Sequence, residues 1–224
     1  MRGLEIRHLT IEADNRPILK DISLTFEDQV IYGLVGHNGS GKSTLVNTIM
    51  GSPDYQITSG QILLDGQDIT RLPSYQRARL GLFLASQYPV EITGLNYGDF
   101  LKASLNNLHQ PAENFVDVAT RLNKLAKELG FASFDLSRDL NVGFSGGEKK
   151  KSEILQMIAF KPRFAFLDEP DSGLDKISLK KLINILSKLD YPTTLVVISH
   201  HESLINQLKP LKIYRLGEEH ESSW

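Results

Sequence analysis

The chain has 224 residues, 41% of them hydrophobic and 23% charged, with 25 basic side chains against 27 acidic ones and no cysteine. This composition excludes a disordered or collagenous chain, a disulfide framework, a thiolate metal site and a cysteine nucleophile, and its near-neutral balance argues against a nucleic-acid binder. No run nears the ~18 apolar residues that cross a bilayer, and the opening MRGLEIRHLTIEAD lacks the apolar core of a secretion signal, so a cytoplasmic chain without direct membrane insertion is expected.

Alternating apolar residues from Leu4 to Ile11 and from Ile22 to Phe26 predict antiparallel strands. Val30 to Val35 is a continuous apolar run that ends in Gly36, and Lys42 to Met50 carries helical spacing, giving the order strand, glycine-rich loop, helix. Gln61 to Leu64 and Leu82 to Ala85 read as strands, with Tyr75 to Leu80 as a short helix between them. From residue 88 to residue 140 the spacing becomes helical, as in Phe100, Leu101, Ser104 and Leu105 and again in Val118, Leu122, Leu125 and Leu129. Pro111 and Gly130 punctuate this stretch and no Val/Ile-rich strand interrupts it, so a small helical subdomain is expected between core segments 1–87 and 141–224. Phe164 to Leu167 and Thr194 to Ile198 read as fully buried strands of the parallel type, which makes the sheet mixed. The polar tail from Gly217 to Trp224 is expected to fray.

Residues Gly36, His37, Asn38, Gly39, Ser40, Gly41, Lys42, Ser43 and Thr44 contain the full G-x-x-x-x-G-K-[ST] pattern. The glycines let the backbone wrap so that several N–H groups aim at phosphate oxygens, and the helix starting near Lys42 adds the positive end of its dipole. Lys42 is placed to reach the β- and γ-phosphates and the Ser43 hydroxyl to ligate Mg2+. Four fixed positions match by chance in a chain this long with a probability of about 1%, and the strand and helix on either side favour the nucleotide-binding reading over a glycine-rich turn.

Downstream, RFAFLDE from Arg163 to Glu169 delivers two adjacent carboxylates at the C-terminal end of an apolar strand, the edge where open α/β sheets bind ligands. Asp168 is expected to hold Mg2+ through water and Glu169 to polarise the attacking water. Between the two motifs, FSGGE from Phe144 to Glu148 offers a hydroxyl and open N–H groups at a helix start. His201 reads as a surface histidine, and His8, His109 and His220 form no metal-ligand spacing.

With GHNGSGKST, Gln87, NVGFSGGEKK, FAFLDEPDSGLD and His200 in this order, the sequence closely resembles the ATPase domains of the ABC superfamily. The resemblance implies an α/β fold in a single domain: a P-loop NTPase core with a mixed β-sheet, an antiparallel β subdomain and an inserted helical subdomain. It also implies ATP and Mg2+ as ligands. By the same resemblance Gln87 senses the metal and water, Glu169 orients the water, and His200 contacts the γ-phosphate. Ser145 and Gly147 belong to a signature that closes over the P-loop of a second copy in an ATP-dependent, head-to-tail homodimer. Ser172 to Asp175 form the D-loop.

QYPVEI, FLKASLN, ILQM and the replacement of the usual signature glutamine by Glu148, of the Gln-Arg pair by Lys150 and Lys151, and of a threonine by Asp171 resemble the SufC-type ATPases of iron–sulfur cluster assembly. That resemblance implies a SufB/SufD-like scaffold as partner, docked near Tyr88 to Ile92. Three carboxylates, Asp168, Glu169 and Asp171, beside a lysine-rich helix start also suggest, consistently with that resemblance, that Lys150 pairs with Glu169 and keeps it from water, against the plainer reading of Lys149, Lys150 and Lys151 as a solvated helix face. The alternative function is the ATP-binding subunit of an ABC membrane transporter. A P-loop small-molecule kinase leaves FSGGE and DSGLD unexplained.

Overall fold

The computed structural model describes residues 3–108, 113–131, 134–200 and 202–217. Pro111, the residues after Gly217, and His109, His201 and His220 lie outside them. The chain opens with β1 (Gly3–Ala13), β2 (Arg16–Glu27), β3 (Ile31–Gly36) and α1 (Lys42–Ile49), followed by β4 (Gln56–Leu64), β5 (Gln67–Asp68), α2 (Ser74–Arg79) and β6 (Leu82–Ala85). A middle section holds β7 (Ile92–Asn96), α3 (Tyr97–Asn107), α4 (Phe115–Glu128) and β8 (Asp139–Leu140). The last part runs α5 (Gly146–Phe160), β9 (Phe164–Asp168), α6 (Lys176–Leu186), β10 (Thr194–Ile198), α7 (Glu202–Gln207) and β11 (Lys212–Leu216).

The two pairing senses divide between two sheets. β2-β1-β4-β5 form an antiparallel sheet, and β11-β3-β10-β9-β6 form a sheet whose recorded pairings are all parallel. All five residues of β9 and of β10 are buried, because the central sheet is covered on both faces. The side-chain period of two decides what each residue meets. Phe164, Phe166, Val196 and Ile198 join Leu34, Leu45 and the inner face of the antiparallel sheet in one core. Ala165, Leu167, Leu195 and Val197 turn the other way, into a core with residues of α4, α5 and α6. The parallel order brings the C-terminal ends of β3, β9 and β10 side by side, and the loops leaving those ends carry the glycine-rich motif, the carboxylates and His200.

The middle section contains two helices, and its ends are tied by a short β7–β8 ribbon that periodicity did not disclose. Two paired residues are too few to leave an alternating pattern. The ribbon is stabilised instead by local bonds, with Tyr97 N–H donating to Arg138 O at 2.9 Å and Gly94 N–H to Asp139 Oδ2 at 2.8 Å.

The end of α1 away from the glycine-rich loop is closed by a buried arginine. Arg77, 2% exposed, donates to Thr48 O at 2.8 Å, Ile49 O at 2.7 Å, Leu72 O at 2.8 Å and Thr70 O at 2.7 Å. Two of these carbonyls belong to the last turn of α1, where a cation also complements the helix dipole. Arg77→Met is expected to strand them, lowering stability by about 2–4 kcal/mol in urea unfolding.

Candidate active site

The glycine-rich loop joins β3 to α1 through backbone that only glycine adopts easily. Gly41 precedes the helix at φ 89°, and a Cβ there would stand 2.6 Å from Leu19 Cδ2. At Gly39, φ 81°, the space around a Cβ is open, as a loop that faces a ligand requires. Ser40 and Lys42 are buried while His37, Asn38 and Gly39 are exposed, so the loop is a rim around an inward-turned cation. Lys42 Nζ donates to Gly36 O and His37 O, each at 2.9 Å, and to Ser40 Oγ at 3.4 Å. Burial pushes the ammonium down from its ordinary pKa, and the nearby charges of Asp168 and Glu169 pull it back up. Ser43 and Thr44 occupy the first turn of α1, half-buried.

β9 brings Asp168 to this cation from below. Burial pushes its carboxyl up, opposed by the Ser43 hydroxyl and then the Lys150 and Lys42 ammonium groups. Its Oδ1 is buried without a hydrogen-bond partner. An orphaned carboxylate oxygen beside a serine hydroxyl fits a hard divalent cation such as Mg2+, which takes one or two protein oxygens and keeps several waters. The donor set is therefore suitable for the metal.

Glu169 begins the turn after β9 at φ 50°, a conformation that costs an ordinary residue on the order of 1–2 kcal/mol. Its N–H donates to Ile198 O at 2.9 Å. Gln87 Nε2 donates to Glu169 Oε2 at 3.0 Å, and His200 Nε2 meets Glu169 Oε1 at 2.8 Å. Lys42, Ser43, Gln87, Asp168, Glu169 and His200 thus meet at one mouth of the sheet, drawn from four separate segments. Asp171, next along the turn, accepts from Ser199 Oγ at 3.0 Å.

Two expectations about α5 are corrected. Lys150 does not pair with Glu169: its Nζ donates to Ser86 O at 2.7 Å and Asp168 O at 2.8 Å. Nor is the lysine run a solvated face, since Lys150 and Lys151 are 4% and 9% exposed. The physical reason is that α5 passes between the sheet and the middle section, with both sides covered. Glu153, one turn on from Lys150, is buried too and was not anticipated. The available signal was a run of charges, KKKSE, leading directly into the apolar ILQM of one helix.

Ser145 caps α5. Its N–H and hydroxyl donate to Glu148 Oε2, each at 2.9 Å, and its oxygen accepts from Glu148 N–H at 3.3 Å, forming a capping box. Ser145 and Gly146 are exposed, and a Cβ on Gly147 would fall 2.7 Å from Gly173 O, so the signature and D-loop form one surface. Among the described residues, the hydrogen bonds of Ser145 and the packing of Gly147 do not reach the glycine-rich loop.

The family model described as ABC transporter matches residues 19–172, more than half of the chain. The chain belongs to the ABC ATPase superfamily. It is 43% identical over 215 residues to a Streptococcus pyogenes protein described as a probable ABC transporter ATP-binding protein, covering 94% of this chain and 83% of that one. It is 40% identical over 216 residues to the probable ATP-dependent transporter ycf16 of Cyanidium caldarium, covering 94% and 85%. The dimeric bacterial ABC transporter cassette MJ0796 superposes with a TM-score of 0.79 at 21% identity, covering 95% of this chain and 94% of that one, a likeness of fold. The ABC ATPase assignment gives ATP as a ligand of the chain. Among the described residues no helix is long and apolar enough to cross a membrane.

Burial pushes the Glu153 carboxyl up to about 7, against the pull of Lys150 and of the bonds from Ser86. Between the ordinary carboxylate range and about 7 the folded chain keeps a proton that the unfolded chain has released, so this contribution is full at acid pH and is lost as pH rises through the folded value. The wild-type chain is expected to lose about 2–3 kcal/mol of stability between pH 5 and pH 8 from this group. Glu153→Gln is expected to flatten that slope in urea titrations at the two pH values.

Proposed function

We propose that this chain is the ATP-hydrolysing subunit of an iron–sulfur cluster assembly system, in which ATP closes two copies head to tail and the motion is passed to a SufB/SufD-like scaffold. The observation that carries the hydrolytic part is the meeting of Gln87 and His200 on the two oxygens of Glu169, beside Lys42 and Asp168. In this reading the loop from Gly36 to Thr44 binds the triphosphate and Lys42 neutralises its outer phosphates. Ser43, Asp168 and Gln87 would hold Mg2+, which would supply positive charge against the triphosphate. Glu169 orients and polarises the attacking water, and His200 contacts the γ-phosphate. Such sites work chiefly by positioning and by charge stabilisation.

The exposed cap at Ser145 supports closure by a second copy: a helix N-terminus that already satisfies its own serine still presents open N–H groups to an anion. Just beyond Gln87, Tyr88 and Val90 are 81% and 69% exposed. A cleft of about 630 Å³, lined in part by Tyr75, Phe83, Leu108 and Phe160, lies where β6 meets α3 and the end of α5. These apolar surfaces support a docked protein partner. With no cysteine in the chain, any cluster must be carried by that partner. The second reading, a transporter subunit docked on a membrane permease, is favoured by the names of the relatives. A soluble pull-down from native extract separates them: a soluble scaffold with bound iron and sulfide supports the first reading, and an integral membrane permease the second.

Glu169→Gln is expected to lower kcat by about 10²–10⁴ while ATP still binds. Ser145→Arg and Lys42→Ala chains are each expected to be inactive, and their mixture to regain hydrolysis, because the first supplies an intact loop and the second an intact signature. A mixture as inactive as its components would rule out a site shared between copies.

A further inference from the structure

β6 and β9 run side by side until Ala85 pairs with Leu167, and there the recorded ladder ends. The next residues on the two strands are Ser86 and Asp168, which lead directly to Gln87 and Glu169. Side chains of α5 take over where the ladder stops. Lys150 Nζ bridges the diverging strands, donating to Ser86 O at 2.7 Å and to Asp168 O at 2.8 Å. Glu153 Oε1 accepts from Ser86 N–H at 2.8 Å and from Ser86 Oγ at 3.1 Å. Both backbone polar groups of Ser86 are thus held by two side chains one helical turn apart. Those side chains approach within 4.0 Å of each other.

A buried ionisable pair is a poor way to gain stability, since apolar residues of equal volume often serve as well or better. What this pair does that apolar residues cannot is fix carbonyl and N–H directions at the point where two strands part. A single ammonium between two carbonyls sets their spacing, and the carboxylate fixes the rotation of the strand that leads into Gln87. The same helix is capped by Ser145, so the spacing at the sheet mouth is referred to the signature end of α5.

We propose that Lys150 and Glu153 are positioning residues that set the separation of Gln87 from Asp168, and through it the geometry offered to the metal between them. The inference rests on the reading of Gln87 and Asp168 as metal-side groups.

The test is Mn2+ binding to the full chain saturated with a non-hydrolysable ATP analogue, followed by the loss of the free-ion EPR signal, with analogue affinity in the absence of metal measured alongside. Glu153→Met, which keeps the volume and removes the acceptor, and Lys150→Met are each expected to weaken Mn2+ roughly 10–100-fold and to leave metal-free analogue binding unchanged. Glu153→Gln, which keeps an oxygen for Ser86 N–H, is expected to restore most of the Mn2+ affinity. Unaltered Mn2+ affinity in Glu153→Met overturns the proposal. So does loss of metal-free analogue binding in that variant, which would mark a merely structural pair. Gln87→Ala separates this inference from its foundation. If it leaves Mn2+ binding intact, the metal reading of Gln87 falls and the proposal with it. If it weakens Mn2+ while Glu153→Met does not, the positioning role alone falls.

Discussion

The ammonium of Lys42 is the charge around which the mouth of the parallel sheet is built. It is buried, and its direct bonds go to two backbone carbonyls and a serine hydroxyl rather than to a carboxylate. Carbonyl dipoles satisfy its geometry but do not neutralise it, and burial already presses its pKa down. In the proposed reading a triphosphate resolves this imbalance, because it brings negative charge to the place where the loop N–H groups and the dipole of α1 also point. The antiparallel sheet, through Leu19 against Gly41, and Arg77 at the far end of α1 keep the loop in that shape.

The acidic half of the site is held from the other side of the sheet. α5 carries the capped signature at one end and, within its first two turns, the side chains that grip Ser86 and Asp168. Further bonds tie the same helix to the segment that follows Gln87. Lys149 reaches Glu91 at 2.6 Å, and Asn141, ahead of the cap, donates to Val90 O at 2.8 Å. Ser152 donates to Asn141 Oδ1 at 2.7 Å, and Tyr97 donates to Ser152 O at 2.9 Å. A displacement of the exposed residues near Tyr88 therefore has short, directional paths both to Gln87 and Asp168 and to the start of α5. In the proposed cycle this is how a docked partner and a second copy would sense each other.

Much of this was legible before any coordinates. The run VIYGLVGHNGSGKST fixes strand, loop and helix by local chemistry alone, and the buried strands at Phe164 and Thr194 announce themselves because both faces of a parallel strand are apolar. The gathering of Lys42, Glu169, Gln87 and His200 was legible only through the resemblance, since spacing cannot show that four segments converge. What stayed hidden depends on neighbours. The lysines of α5 read as a surface run because nothing local reveals that the helix is covered on both sides, and the β7–β8 ribbon is too short to show a period. The Lys150–Glu169 pair failed for a related reason: charge alone suggested a partner, whereas the ammonium is oriented by two carbonyls where strands diverge.

The backbone at Glu169 shows why the carboxylate and the histidine stay together. A left-handed residue directly after β9 turns the chain so sharply that Asp168 keeps its inward direction while Glu169 swings toward the end of β10. The strain, about 1–2 kcal/mol, is offset by bonds that exist only in that turn: Glu169 N–H to Ile198 O, its carboxylate to Gln87 and His200, and Ser199 to Asp171. Each of these joins the loop after β9 to a neighbouring strand end, so the turn is shaped by its neighbours more than by its own sequence. Gln87 spends its amide nitrogen on Glu169, which leaves its carbonyl oxygen as the atom available to a cation. In the proposed reading a cation on the P-loop side would take oxygens from Gln87, Asp168 and Ser43, while the Gln87 and His200 nitrogens stay on the glutamate. In that reading the chemistry is sorted by side: cation toward Lys42 and α1, water toward the turn after β9.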